Sequence, residues 1–165
     1  MNKIEKITEQ YVSLKVATLL KEKGFNIPCS AYYIMSNKSK TSMPKIAFDL
    51  ALPNNTYLSS IYKNIETISL PTHQLAMKWL REIYNIEISI TYGFPWIRVN
   101  GKSQYKYFWS IVKVCDDHLE YPMNKPESMN YIEEQADTYE QAIDDALIYV
   151  LENFEEIKRL NKYHE

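Results

Sequence analysis

The chain has 165 residues, of which 45% are hydrophobic and 24% are charged, and its formal net charge is −2. This composition is typical of one globular domain and excludes a disordered chain, so we treat residues 1–165 as a single unit. The chain also lacks a dense basic stripe, which argues against nucleic-acid binding. No apolar run reaches the roughly 20 residues that cross a bilayer, and the N-terminus is too charged for a signal peptide. We therefore expect a cytoplasmic protein with no membrane partner.

Two segments share the plan of a capped amphipathic helix, Ser13–Gly24 and Thr72–Asn85. Each begins with a hydroxyl residue, which accepts a hydrogen bond from a first-turn amide, and each ends at a residue that tolerates a left-handed conformation. His73, in the first turn of the second helix, is expected to be exposed. The two segments predict two helices, each with one apolar face.

Strands are predicted on either side of the polar segment 36–42, at Cys29–Met35 and Lys45–Leu52. The second of these alternates strictly between apolar and other residues, which is typical of a strand with one buried side. Residues 53–55 end it, and residues 56–70 show no single period. The positions expected to be buried are Ile46, Phe48, Leu50 and Leu52.

A meander of three antiparallel strands is predicted after the second helix. Ile86–Tyr92 alternates clearly, and Trp96–Val99 and Tyr105–Val114 follow it with aromatic and apolar content. The dipeptide Asn100-Gly101 between the last two is the strongest short hairpin signal, because both residues accept positive φ.

The C-terminal part begins with a long polar connection at residues 116–137, which contains two prolines. Thr138 and Gln141 then form a capping box, and apolar residues continue at helical spacing as far as Ile157. The tail from Lys158 is expected to fray. Together these elements predict an α+β fold in which an antiparallel sheet of about four to six strands is covered on one face by three amphipathic helices.

Charge is distributed unevenly along the chain. Residues 1–115 hold 15 Lys or Arg and 7 Asp or Glu, whereas residues 116–165 hold 4 and 14. We expect an acidic C-terminal helix that is compensated by a basic body within the same chain, and the same asymmetry also permits a self-associating module that forms a homo-oligomer.

Aromatic and cationic side chains are concentrated on the predicted hairpin after Gly93. Aromatic faces beside cations suit stacking on a base and pairing with phosphate, so this segment is the candidate site for an anionic, nucleotide-like ligand. The alternative is that these rings pack beneath the helices. The candidate residues are Trp96, Arg98, Lys102, Tyr105, Lys106, Tyr107 and Trp109.

Catalytic and metal signatures are weak. His73, His118 and His164 are scattered along the chain, and there is no glycine-rich phosphate loop, so we expect no metal and no cofactor. A small hydrolase or transferase that uses Cys115 or His118 is retained as an alternative. Paired acidic residues such as Asp144-Asp145 diverge on a helix and are interpreted as solvated surface.

Three segments resemble a family of small uncharacterised proteins encoded by phages and prophages of anaerobic gut bacteria. The matching segments are Ser13–Phe25, Pro71–Glu82 and Thr138–Ala142. The shared positions are mainly caps and core residues, so the resemblance implies the fold and a phage origin and carries over no catalytic or binding residue. We therefore expect a non-enzymatic phage accessory protein that binds a partner or sequesters a nucleotide-like ligand and so antagonises host defence; the resemblance suggests the biological setting, and the aromatic and cationic strands suggest the ligand.

Overall fold

The structure, a computed structural model, describes residues 10–35, 45–50, 52–93, 98–99, 102–103, 106–114, 119–120 and 136–162. The described helices are α1 (Leu14–Glu22), α2 (Asn55–Ile61), α3 (His73–Tyr84), α4 (Tyr139–Glu152) and α5 (Phe154–Lys162). The described strands are β1 (Ala31–Met35), β2 (Lys45–Phe48), β3 (Glu66–Leu70), β4 (Ile86–Tyr92), β5 (Arg98–Val99), β6 (Lys102–Ser103), β7 (Tyr107–Val114) and β8 (Leu119–Glu120). No described helix is long and apolar enough to span a bilayer.

Hydroxyl side chains begin three of the helices, as the sequence predicts. The hydroxyl of each accepts a hydrogen bond from the amide three residues later, which satisfies a donor that the first turn leaves open. The capping residues are Ser13 for α1, Thr72 for α3 and Thr138 for α4. The predicted helix ends are also confirmed, because Gly24 follows α1 with φ +90° and Asn85 closes α3 with φ 55°.

The segment without a single period, residues 56–70, contains most of α2 and all of β3. Asn54 caps α2, and its side-chain oxygen accepts from the amide of Tyr57 at 2.8 Å. The adjacent Asn55 is buried and joins two other segments: its amide nitrogen donates to the carbonyl of Phe25, and its oxygen accepts from the amide of Ser69, both at 2.8 Å. These two bonds fix α2 between the end of α1 and strand β3.

The strands form two three-stranded antiparallel sheets, with orders β2-β1-β3 and β4-β7-β8, and a two-stranded ribbon, β5-β6. The α+β class is therefore confirmed, although these described strands do not join in one sheet. The chain leaves the first sheet after β3, passes through α3, which packs on β4 and α4, and enters the second sheet at β4.

Asn100 and Gly101 lie outside the described residues, but β5 and β6 on either side of them pair antiparallel, with Val99 opposite Lys102, as the hairpin signal predicts. The order of the predicted meander is wrong, since β4 pairs directly with β7 and the β5-β6 ribbon lies between them in sequence. The difference in strand length explains why β4 pairs with β7 and not with β5. Ile88 lies opposite Ile111 in a register of seven pairs, whereas β5 offers only two residues.

Helix α4 lies at the centre of the core and packs against α1, α3, β4 and β7. Its buried residues are Ala142, Ile143, Ala146, Leu147, Val150 and Leu151. The helix ends at Asn153 and a separate helix, α5, begins at Phe154, so the predicted continuous helix to Ile157 and the frayed tail from Lys158 are corrected. The break permits Phe154 and Ile157 to remain buried in the same cluster.

Strand β2 differs most from its prediction. It ends at Phe48, and the side chains predicted to be buried are exposed: Ile46 by 49%, Phe48 by 68%, Leu50 by 102% and Leu52 by 50%. The alternation correctly indicated a strand, but alternation does not specify what covers the apolar face. Because β2 lies at the edge of its sheet, with β1 as its main neighbour, the helical layer over β3 does not reach it.

Candidate functional site

The predicted aromatic and cationic site is only partly within the described residues. Trp96 and Tyr105 lie outside them. The backbones of Arg98 and Lys102 lie on the ribbon, opposite Ser103 and Val99, and their side chains are outside the description. The side chains of Lys106, Tyr107 and Trp109 are described and follow one another along the start of β7.

The rings on β7 lie against helix α4. Trp109 contacts Tyr149 with ring centroids 5.1 Å apart, and Tyr107 meets Tyr139 at 6.0 Å in an edge-to-face arrangement. Tyr107 also contacts Tyr92 of β4, at 4.8 Å. Aromatic pairs at these distances stabilise packing, so the described part of this strand serves as scaffold.

The cation beside these rings already has a partner. The ammonium of Lys106 forms an ion pair with the carboxylate of Asp137, just before α4. An anionic ligand would have to compete with this carboxylate. Two rings of this region are partly exposed, Tyr92 by 60% and Tyr139 by 40%.

Ion pairs across α1 and α4 account for part of the charge asymmetry. Lys15 of α1 lies 2.8 Å from Glu152 of α4. This contact and the pair of Lys106 with Asp137 join the basic and acidic parts of one chain, as the compensation hypothesis expects. Both members of the Lys15–Glu152 pair are about half exposed, so its contribution to stability is small.

A buried polar cluster at the start of α3 was missed by the sequence analysis. The Nε2 atom of His73 lies 3.0 Å from Oδ1 of Asp144, and both carboxylate oxygens of Asp144 accept from the amide of Ser13, at 3.2 and 3.3 Å. His73 is only 3% exposed, so the expectation that it faces solvent is wrong. Asp144 is likewise a structural partner, and not the solvated carboxylate that the Asp144-Asp145 pair suggested.

The spacing of α3 contained a signal for this cluster. His73 precedes Ala76 by three residues and Leu80 by seven, and both are buried, so His73 lies on the inward stripe. Burial and the Asp144 carboxylate also raise the pKa of Tyr33. The His73 side chain is nearly fully buried and that of Asp144 is 22% exposed, and their contacts join α1, α3 and α4 in what we call the Asp144 clasp.

Chemistry of other kinds has little support among the described residues. Cys115 and His118, the alternative catalytic pair, lie outside them. Within the described ranges, no group of three or more His, Cys, Asp or Glu side chains is placed to hold a metal ion. Cys29 is buried, its thiol donates to the carbonyl of Ile27, and burial raises the pKa of that thiol to about 12, so it is protonated and unreactive at neutral pH.

The exposed side chains on and after β2 form the clearest surface feature, and we call Ile46, Phe48, Leu50 and Leu52 the β2 apolar row. Phe48 contacts the ring of Tyr11 edge-to-face at 6.2 Å, which holds one side of it. Leu52 lines an open cleft of about 390 Å³ together with Tyr11 and Leu75. The row therefore continues from the sheet edge into a concave surface.

Comparisons with protein families, with curated proteins and with solved structures find no match to this chain. The functional argument therefore depends on the surfaces of this chain. Of these, the β2 apolar row includes Leu50 and Phe48, the two most exposed large apolar side chains among the described residues.

Proposed function

We propose that this protein is a non-enzymatic binding module that engages another protein through the β2 apolar row. The observation that carries the proposal is the exposure of four large apolar side chains at alternate positions from Ile46 to Leu52, on strand β2 and directly after it. Contiguous apolar surface of this kind is costly in water and is found mainly at interaction sites. A protein partner that covers the row would recover that free energy.

The edge position of β2 supports the same function. A strand at a sheet edge presents unpaired amides and carbonyls, and an extended segment of a partner can form hydrogen bonds with them. The side chains of that segment then contact the side chains next to the edge. Here the apolar row and the edge coincide on one short strand. A partner that adds a strand to β2 would gain main-chain hydrogen bonds and apolar contacts together.

The resemblance to phage-encoded proteins suggests the biological setting. We propose that the protein is a phage accessory protein which acts in the cytoplasm of the infected or lysogenic cell, where binding through the row blocks a component of host defence. This part of the proposal depends on the resemblance, whereas the binding role depends on the exposed row.

The test is site-specific photocrosslinking in the cell that encodes the protein. A photoreactive phenylalanine replaces Phe48, and the matched control carries it at Tyr139, an exposed aromatic position on α4. We expect a crosslinked protein species from position 48 and none from position 139. Position 48 yielding no crosslinked protein would exclude the row as a binding surface.

The exposed ring of Tyr92 favours a second candidate, the nucleotide-like ligand. Tyr92 contacts Tyr107, the residue that follows Lys106 in the chain, and its side chain is 60% exposed, so a base could stack on the exposed part of this aromatic pair. Calorimetric titration with nucleotides, cyclic dinucleotides and nucleotide sugars tests it. Binding that Tyr92→Ala abolishes would support this candidate, and no heat with any of these compounds would remove it.

A further inference from the structure

We infer that the partner of strand β2 is strand β2 of a second copy of this chain, paired antiparallel about a two-fold axis at Ala47. This inference rests on the proposed function, because it names the protein that covers the β2 apolar row. It depends on three features of the segment Lys45–Asp49: the direction of its backbone groups, its apolar pattern and its charge pattern.

The backbone of β2 has one edge open among the described strands. On its inner edge β2 pairs with β1, with Ala47 opposite Tyr32, and the amide of Asp49 donates to the carbonyl of Ser30 at 3.0 Å. In an antiparallel ladder the hydrogen-bonding groups alternate in direction along the strand. Residues 45, 47 and 49 therefore direct their backbone groups toward β1, and residues 46 and 48 direct theirs toward the open edge.

An axis at Ala47 satisfies these outward groups. It places Ile46 opposite the partner's Phe48, and Phe48 opposite the partner's Ile46. Both positions have outward amides and carbonyls, so each pair exchanges two main-chain hydrogen bonds. Directly opposed residues lie on the same face, so an aliphatic side chain meets an aromatic ring twice, which is a favourable cross-strand combination.

The same axis matches opposite charges. It places Lys45 opposite the partner's Asp49, and Asp49 opposite the partner's Lys45. Moving the axis by one residue in either direction loses both charge pairs, because Lys45 then faces position 47 or position 51. The sequence Lys-Ile-Ala-Phe-Asp is therefore self-complementary in charge and in hydrophobicity at one register, which favours a second copy over an unrelated strand.

Pairing in this way produces one six-stranded sheet across two subunits and brings the two apolar rows side by side. Sheets of this size are common, and the small side chain of Ala47 leaves room at the axis. An isologous two-fold contact also uses the β2 edge of both copies, so a third copy cannot add at β2.

Charge-swap variants test the register. Lys45→Asp alone and Asp49→Lys alone each place like charges opposite each other twice, so we expect each to weaken dimerisation by about tenfold or more. Mixing the two variants restores both opposite-charge pairs in a heterodimer. Analytical ultracentrifugation gives the dissociation constants, and native mass spectrometry with one variant isotopically labelled identifies the 1:1 species.

We expect a concentration-dependent dimer for the wild type, monomers for the single variants, and a heterodimer in their mixture. The double variant Lys45→Asp/Asp49→Lys should dimerise like the wild type, which separates lost pairing from lost folding. A wild type that stays monomeric at all concentrations, or a mixture without heterodimer, would overturn the inference. If the dimer is not found but position 48 crosslinks to a different protein, the proposed binding function stands and only the dimer is excluded. If position 48 crosslinks to no protein, the dimer and the proposed function are both excluded.

Discussion

The imidazole of His73 lies 3.0 Å from the carboxylate of Asp144, a residue 71 positions away in the chain. The same carboxylate accepts the backbone amide of Ser13 through both oxygens. One acidic side chain thus joins the starts of α1 and α3 to the middle of α4, and the arrangement of the helical layer depends on it.

Replacing Asp144 should therefore destabilise the fold. In Asp144→Ala the buried imidazole of His73 and the amide of Ser13 both lose their partner, so we expect the free energy of unfolding to fall by about 2 kcal/mol. Glu156→Ala, at an exposed carboxylate on α5, is the control and should change it by less than about 0.5 kcal/mol. Urea denaturation followed by circular dichroism measures the free energy of unfolding of both variants. An Asp144→Ala variant that loses no more stability than Glu156→Ala would contradict a stabilising role for the Asp144 contacts.

The buried thiol of Cys29 predicts a loss of stability at alkaline pH. Burial raises the pKa of the thiol to about 12 in the folded chain, whereas the unfolded chain has the ordinary value near 9.0. Above that ordinary value the unfolded state releases a proton that the folded state retains, so the free energy of unfolding falls as pH rises toward 12, by up to about 1.4 kcal/mol per pH unit.

Comparison with Cys29→Ala isolates this effect, because other groups titrate alike in the two proteins. Between pH 8 and pH 10, urea denaturation should show a larger fall in the free energy of unfolding for the wild type than for the variant. An equal fall for the two proteins would contradict the assignment of this pKa to burial.

The left-handed conformation of Asn85 predicts opposite effects for glycine at two helix ends. Asn85 has φ 55°, so Asn85→Gly should raise stability by up to about 1 kcal/mol, and Asn85→Ala should lower it by about 1 kcal/mol. Asn153 closes α4 with φ −100°, and its side chain donates to the carbonyl of Tyr149. Asn153→Gly should therefore destabilise. Thermal unfolding compares the three, and stabilisation at both asparagines would contradict this account.

The packing of Trp109 beneath α4 predicts a structural role for this ring. Trp109→Ala removes the contact with Tyr149, so we expect a loss of about 2 to 3 kcal/mol in the free energy of unfolding, below the cost at a fully buried site. Tyr92→Ala, at the exposed end of β4, should cost less than half as much. Urea denaturation distinguishes them, and a Trp109→Ala variant as stable as the wild type would return this residue to the list of ligand-binding candidates.

Local chemistry made the helix boundaries predictable. The hydroxyl of Thr72 and the tolerance of Asn85 for positive φ act within a few residues, so the sequence alone shows where α3 begins and ends. The signal for the antiparallel pairing of β5 with β6 was equally local. These features do not require knowledge of the tertiary structure.

Long-range contacts were not predictable in the same way. The partner of His73 is 71 residues distant, and the exposed face of Phe48 depends on where the helical layer ends. Alternation along β2 indicated an apolar face, and we expected the rest of the chain to bury it. In the structure these side chains are exposed, so the proposed binding surface is the β2 apolar row and not the aromatic and cationic segment that the sequence suggested.

The most direct test of the proposed interface is a disulfide at its axis. Ala47 should lie opposite the partner's Ala47 in a pair whose Cα atoms are about 4.5 Å apart, within the range that a disulfide spans. In a Cys115→Ser background, Ala47→Cys should form a covalent dimer under mild oxidation, and Ser60→Cys, at an exposed position on α2, should not. Failure of Ala47→Cys to crosslink, or equal crosslinking at both positions, would contradict pairing through β2.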